Sequence, residues 1–154
     1  MQLVVQKVLS ASVTVDPSTD VVQAPERIAA IGPGFLLLVG IAAGDTDADC
    51  DRLAKKIVSL RLFPGEGGKI NDRTVLQVGG AVLVVSQFTL LGSVEGGSRP
   101  DYTAAAPREE AERLYGRFVD GLRDNGVSDV QTGRFGAHMA VESVNDGPVT
   151  LLLR

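Results

Sequence analysis

Phe35-Leu36-Leu37-Leu38-Val39-Gly40-Ile41-Ala42 is the run around which the rest of the chain has to be arranged. It is too short to span a bilayer. It shows no polar alternation, so it reads as a strand covered on both faces. On its N-terminal side lie Gly32-Pro33-Gly34, a short strand Arg27 to Ile31, turn-like residues Asp16 to Thr19, and a long β-branched strand from Val4 to Val15. On its C-terminal side the period changes. Cys50, Leu53, Ala54, Ile57 and Leu60 recur at helical spacing within Asp45 to Ser59, with Thr46 as cap and acids in the first turn. Leu60 to Phe63 reads as extended and Gly65 to Gly68 as a loop. Val75 to Val78, Gly79-Gly80 and Ala81 to Leu90 read as a hairpin leading into a central strand. The Gly-rich, polar stretch Leu91 to Tyr102 reads as a mobile loop. A second helix begins with Pro107 in its first position and buries Ala111, Leu114, Tyr115, Phe118, Val119 and Leu122, with Gly126 after its end. A strand near Val130, another over Met139 to Val144, a turn at Asn145 to Gly147 and a final strand Val149 to Leu153 complete the chain. Two helices are too few for a doubly wound sheet. The expectation is one α/β domain over residues 1–154, a curved, barrel-like β-sheet with flanking helices.

Composition narrows the chemistry. The chain has 154 residues, 44% of them hydrophobic, a net charge of −4 and a pI near 4.9. A broad nucleic-acid coat is excluded, although a small, focused basic contact is not. Met1 to Val8 lacks the basic-then-apolar pattern of a signal peptide, Cys50 has no partner for a disulfide, and the expectation is a cytoplasmic protein with no membrane association. Reactive side chains are few. His138 is the single histidine, so any Ser-His-Asp or Cys-His device would have to use it, and its setting at the start of a strand favours an ordinary exposed histidine. Cys50 falls on the apolar face of a helix. Asp45, Asp47, Asp49 and Asp51 imitate the start of a calcium loop, but Cys50 stands where glycine is required and Lys56 where the closing acid belongs. No zinc-ligand cluster or Walker spacing is present. No metal and no cofactor is expected.

Two segments stand apart. Ser86-Gln87-Phe88-Thr89-Leu90 sets polar residues at the end of an apolar strand. Asn145-Asp146-Gly147-Pro148-Val149-Thr150 offers a hairpin turn, but Pro directly after Gly fits a ladder poorly. A cis Gly-Pro bond, accessible at modest cost, would aim two successive carbonyls in one direction, as a clamp for an ammonium group requires.

With these two motifs in order, the chain resembles the D-aminoacyl-tRNA deacylase family. The likeness runs through VVQKV (Val4 to Val8), ASVTV (Ala11 to Val15), VVSQFTL (Val84 to Leu90), SRP (Ser98 to Pro100), AAP (Ala105 to Pro107), TGRFGAHM (Thr132 to Met139) and NDGPVTLLL (Asn145 to Leu153). The resemblance implies a homodimer whose active site lies at the subunit interface, between SQFTL of one chain and a cis Gly147-Pro148 of the other. It implies a D-aminoacyl or glycyl ester on the 3′ end of tRNA as substrate and exclusion of the L-isomer. The residues carried over are Ser86, Gln87, Phe88 and Thr89 for catalysis, and Gly147, Pro148, Asn145, Lys7 and Met139 for substrate binding and chiral selection. The chain departs from the family pattern at Lys7, where arginine is usual, at His138, where aspartate is common, at the acidic 91–97 loop, and in a longer 16–26 segment.

An aminoacyl ester is already activated, so positioning and preorganised donors can supply most of the acceleration. Backbone N–H groups near Phe88 and Thr89 are the expected oxyanion donors, with Ser86 and Gln87 shaping the pocket for the terminal adenosine and the substrate's free ribose hydroxyl orienting water. A covalent Thr89 is the competing mechanism; no base is evident beside it. Two other readings use the same residues: a non-enzymatic tRNA-binding or dimeric interaction module, and a small-molecule esterase indifferent to RNA.

Overall fold

The computed structural model describes residues 1–15 and 25–154. The turn expected at Asp16 to Thr19 lies outside them, as does most of the longer 16–26 segment. Strand β1 (Gln2–Val15) is the spine. One of its edges takes β3 (Gly34–Gly40) from Gln2 to Val8 and then β2 (Glu26–Ile31) from Ala11 to Val15, both antiparallel. The other edge takes β8 (Met139–Leu153) from Leu3 to Val15. Beyond β3 the sheet continues through parallel β6 (Ala81–Ser86) and parallel β7 (Val130–Thr132). It then curls back, because the Ala30 N–H on β2 donates to the Gln131 side chain on β7 at 2.8 Å. The result is the barrel-like sheet expected from the sequence, nearly closed.

Both faces of β3 and β6 are covered, as the unbroken apolar run of β3 requires. Phe35, Leu37 and Val39 join Val82 and Val84 under helices α1 (Asp47–Ser59) and α2 (Arg108–Asp124). Leu36, Leu83 and Val85 face the barrel interior with Val8, Val13 and Ile31. Thr46 caps α1 through a capping box with Asp49. The two helices run parallel and are laced by exposed ion pairs, Arg113 to Asp47 at 2.7 Å and Arg117 to Asp51 at 2.8 Å.

Four local expectations are corrected. Val75 to Val78 is a turn, with only Val75 buried. Its neighbours Arg73–Thr74 form β5, which pairs with β4 (Arg61–Phe63) instead of with the central strand. The central strand ends at Ser86, and Phe88–Leu91 form a 3-10 turn. Pro107 is the N-cap of α2, one position ahead of its first helical residue. The last two strands are one: 145–147 is no hairpin turn but a protrusion within β8. Between Gln6 and Ser10 β1 advances four residues while β8 spans six, from Val144 to Thr150. The mobile stretch read over Leu91 to Tyr102 is tied at its base, where Ser93 and Asp101 exchange backbone hydrogen bonds of 2.8 Å.

Asp51 is held below the usual aspartate value of 3.8, first by the hydrogen bond from Arg117. Its contribution to stability is therefore present above that value and is lost as pH falls through the depressed one. Asp51→Asn should lower the thermal midpoint at pH 7, and the gap from wild type should close as pH drops below 3.8. Cys50 is fully buried and donates to the Leu114 carbonyl at 3.4 Å. Burial, with the nearby aspartates adding to it, pushes its thiol up to about 11. Iodoacetamide at mildly alkaline pH should leave the native thiol intact and label it only after unfolding in guanidinium, as read by mass spectrometry.

Candidate active site

Three parallel strands, β3, β6 and β7, end at the same side of the sheet, where a cleft of about 540 Å³ opens. Ligands of open α/β sheets bind at such carboxyl ends, because the chain leaves the sheet there and exposes its backbone groups. Val39 and Ile41 at the end of β3, and Val85 and Ser86 at the end of β6, form the floor, with Gln87 and Phe88 beyond them. Ala105, Ala106, Arg108, Ala111 and Tyr115 come from the entry and first turns of α2. The 135–139 segment and Val141 complete the rim.

Within this cleft the structure brings together Ser86, Gln87, Phe88 and Met139. Thr89 stands just outside, its hydroxyl accepting a hydrogen bond from the Gln87 amide. The chain turns at Gln87, whose N–H still donates to the Val39 carbonyl at 2.7 Å. The first hydrogen bond of the following 3-10 turn runs from the Leu90 N–H to the Gln87 carbonyl. That leaves the N–H groups of Phe88 and Thr89 ahead of it, without a carbonyl of the turn to donate to. The Phe88 ring is 57% exposed and rests edge-on against Tyr102, with centroids 5.0 Å apart.

The second group of expected residues lies elsewhere on the chain. Asn145 pairs with Val8 across the β1–β8 ladder, and Asp146 turns inward to Lys7, Nζ to Oδ2 2.7 Å. Lys7 is 9% exposed, and its ammonium also lies over the Phe63 ring, 5.5 Å from the centroid. This pair anchors the protrusion at its root. Gly147 and Pro148 stand exposed at its tip, joined by a cis peptide bond. Gly147 has φ +117°, and a Cβ there would approach the Val149 side chain to 2.8 Å, so the tip requires glycine. Neither Gly147 nor Pro148 lines the cleft of its own chain.

His138 lines the cleft, and no hydrogen bond links it to Ser86 or to a carboxylate among the described residues. A catalytic triad is therefore not assembled there. Tyr115 is buried, donates to the Val84 carbonyl at 2.8 Å, and has its hydroxyl pKa raised by that burial, so it serves as a wall and not as an acid. Among the described residues no three of His, Cys, Asp and Glu gather as a metal site would need, and no helix is long and apolar enough to cross a membrane.

The cleft residues that sequence reasoning missed are Tyr115, Phe135 and Arg108. Tyr115 reads as core because it repeats with the apolar face of α2, and it fills both roles. Phe135 lies inside a quoted family stretch but carries no signal of its own. Arg108 looks like any surface cation at a helix start.

Comparison with known proteins agrees with the motifs. The family model described as D-Tyr-tRNA(Tyr) deacylase matches residues 4–154. A D-aminoacyl-tRNA deacylase of Stenotrophomonas maltophilia (strain K279a) is 49% identical over 154 residues, covering 100% of this chain and 99% of its own. One from Heliobacterium modesticaldum (strain ATCC 51547 / Ice1) is 50% identical over 153 residues, covering 99% of this chain and 95% of its own. The solved structure of a c-Myc DNA unwinding element binding protein superposes with a TM-score of 0.89 at 41% identity, covering 100% of this chain and 98% of its own. With both motifs in place and the likeness running the length of the chain, this protein belongs to the D-Tyr-tRNA(Tyr) deacylase family.

Proposed function

We propose that the protein hydrolyses the ester between a D-amino acid, or glycine, and the 3′-terminal ribose of tRNA, and does so as a homodimer. The observation that carries the reading is the pairing of two features in one chain. An apolar-floored cleft carries backbone donors at Phe88 and Thr89, and an exposed, anchored Gly147-Pro148 protrusion has nothing to grip in its own chain. The protrusion of a second copy, set over the cleft, would complete the site. The outer edge of β8 supports the dimer. It carries no partner strand among the described residues, and Val141, Val144 and Leu152 are 39%, 54% and 73% exposed. A long unpaired strand of this kind is an aggregation hazard unless something covers it.

In this reading water attacks the ester carbonyl and charge develops on its oxygen. The N–H groups of Phe88 and Thr89 hold that oxyanion. The ribose oxygen leaves as a hydroxyl, releasing free D-amino acid and tRNA. No side-chain nucleophile is needed, and the substrate's neighbouring ribose hydroxyl orients the water. Main-chain carbonyls of the partner's protrusion face the α-ammonium and leave room on one side of the α-carbon only. A ten-thousandfold preference corresponds to about 5.5 kcal/mol, within reach of a steric clash with rigid backbone. Glycine meets no clash and is cleaved too. This is a proofreading role in translation quality control, placed in the cytoplasm where aminoacyl-tRNA is used.

The deciding assay offers the protein D-Tyr-tRNA, L-Tyr-tRNA and a simple D-tyrosine ester. Cleavage of D-Tyr-tRNA alone is expected. Cleavage of the simple ester would point to a small-molecule esterase, and no cleavage at all to a binding module. Thr89→Ala should keep most of the D-Tyr-tRNA rate; a loss of a thousandfold or more would make Thr89 a nucleophile. Asp146→Ala strands the largely buried Lys7 ammonium and frees the root of the protrusion. A displacement of about 1 Å can cost on the order of a hundredfold. The variant should therefore lose D-Tyr-tRNA rate and gain L-Tyr-tRNA cleavage in single-turnover measurements. Unchanged rates for both isomers would detach the protrusion from chiral selection.

A further inference from the structure

Among the described residues Arg108 is the one cleft-lining residue with a fixed charge, and no described Asp or Glu lines the cleft. In a chain of net charge −4 this is a local inversion. The other arginines of α2 are committed: Arg113 to Glu110 and Asp47, Arg117 to Asp51, and Arg123 to Asp120. Arg108 makes no ion pair among the described residues, not even with Glu112 one turn along the helix, and Glu110 is held by Arg113. The guanidinium is nevertheless placed. It lies against Gly136, where an added Cβ would come within 2.9 Å of Nη2 and 3.2 Å of Cζ. The missing side chain at 136 is what lets the planar group settle at that place on the rim.

We infer that Arg108 binds the 5′-phosphate of the tRNA's terminal nucleotide and thereby sets the direction in which the aminoacyl end enters the cleft. This rests on the deacylase reading above and names the substrate group that the rim recognises. The ester itself is uncharged. With its carbonyl at Phe88 and Thr89, the terminal ribose lies towards the rim, and the phosphate on that ribose is the nearest formal negative charge of the substrate. A guanidinium with its donors free matches a phosphate through two parallel N–H···O bonds. The same charge repels the substrate's α-ammonium, so the amino acid is turned away from the α2 side of the cleft. Arg108 thus acts on orientation as well as affinity. A second anion could use the same cation, namely the carboxylate released on hydrolysis, and the test separates the two.

D-Tyr-tRNA and 3′-O-D-tyrosyl-adenosine, which lacks the 5′-phosphate, are compared with wild type, Arg108→Ala and Arg108→Lys. For Arg108→Ala we expect the loss in kcat/KM on D-Tyr-tRNA to exceed that on tyrosyl-adenosine by about tenfold, and to lie in KM. The slope of log kcat/KM against log salt should become shallower by about 0.7, the value for one phosphate contact on a single strand. Arg108→Lys should recover part of the loss, since it keeps the charge without the fork. Equal losses on the two substrates, or no loss on D-Tyr-tRNA, would overturn the assignment. Equal losses accompanied by weaker inhibition by free D-tyrosine would reassign Arg108 to the product carboxylate. If wild type cleaves neither substrate, the deacylase reading fails, and with it the premise of this inference.

Discussion

Strand β1 spends the hydrogen-bonding capacity of both its edges over nearly its whole length, and the rest of the main sheet hangs on that ladder. Through one edge it holds β3, and through β3 the parallel pair β6 and β7 whose ends form the cleft. Through the other it holds β8, which carries the Gly147-Pro148 protrusion. The two groups of site residues are thus tied to one strand but face different surroundings. Lys7, in the middle of that strand, shows the cost of the arrangement. A largely buried ammonium is tolerated because Asp146 and the Phe63 ring receive it, and leaving such a charge without its partner is expensive.

The cleft's electrical character follows from the placement of the carboxylates. The acids of α1 are engaged by a cap or by arginines: Asp49 by Thr46 and Arg52, Asp47 and Asp51 by Arg113 and Arg117. None reaches the cleft, whose described residues offer backbone donors, apolar walls, the polar side chains of Ser86, Gln87 and His138, and a single guanidinium. Such a site is poor in nucleophiles and bases and well suited to a substrate that brings its own activated bond. The thin inventory of reactive residues in the sequence and the family membership of the chain point the same way.

Much of the architecture was legible from local rules. The change of period after Asp45 and the Thr46 cap located α1. The unbroken apolar run at Phe35 marked a strand with two covered faces. What failed was decided by distant partners. Val75 to Val78 has strand propensity, yet Val75 is drawn into the helix-side core and the segment turns. Asn145-Asp146-Gly147 has every local mark of a hairpin, but the chain on either side continues along β1, and the ladder overrides the turn. The strand through Ser86 stops early because the Gln87 N–H remains with β3 while the next residues wind into a 3-10 turn. At the site, the motifs led to Ser86, Gln87, Phe88 and Met139. Arg108 could not be found that way, because its significance depends on which neighbours are already paired and on the gap left by Gly136.

The surplus in β8 has an arithmetic consequence. Two extra residues are an even number, so side chains that share a face with their β1 partners before the protrusion do so again after it. Leu151 and Leu153 reach the helix-side core with Val5 and Leu3, while Met139 joins Val13 and Val15 inside the barrel. The surplus is not shed evenly: β8 gains three residues on β1 between Gln6 and Val8 and gives one back between Val8 and Ser10. Two odd steps cancel around Val8, and so a finger stands out of the strand while both arms keep their oily side chains covered.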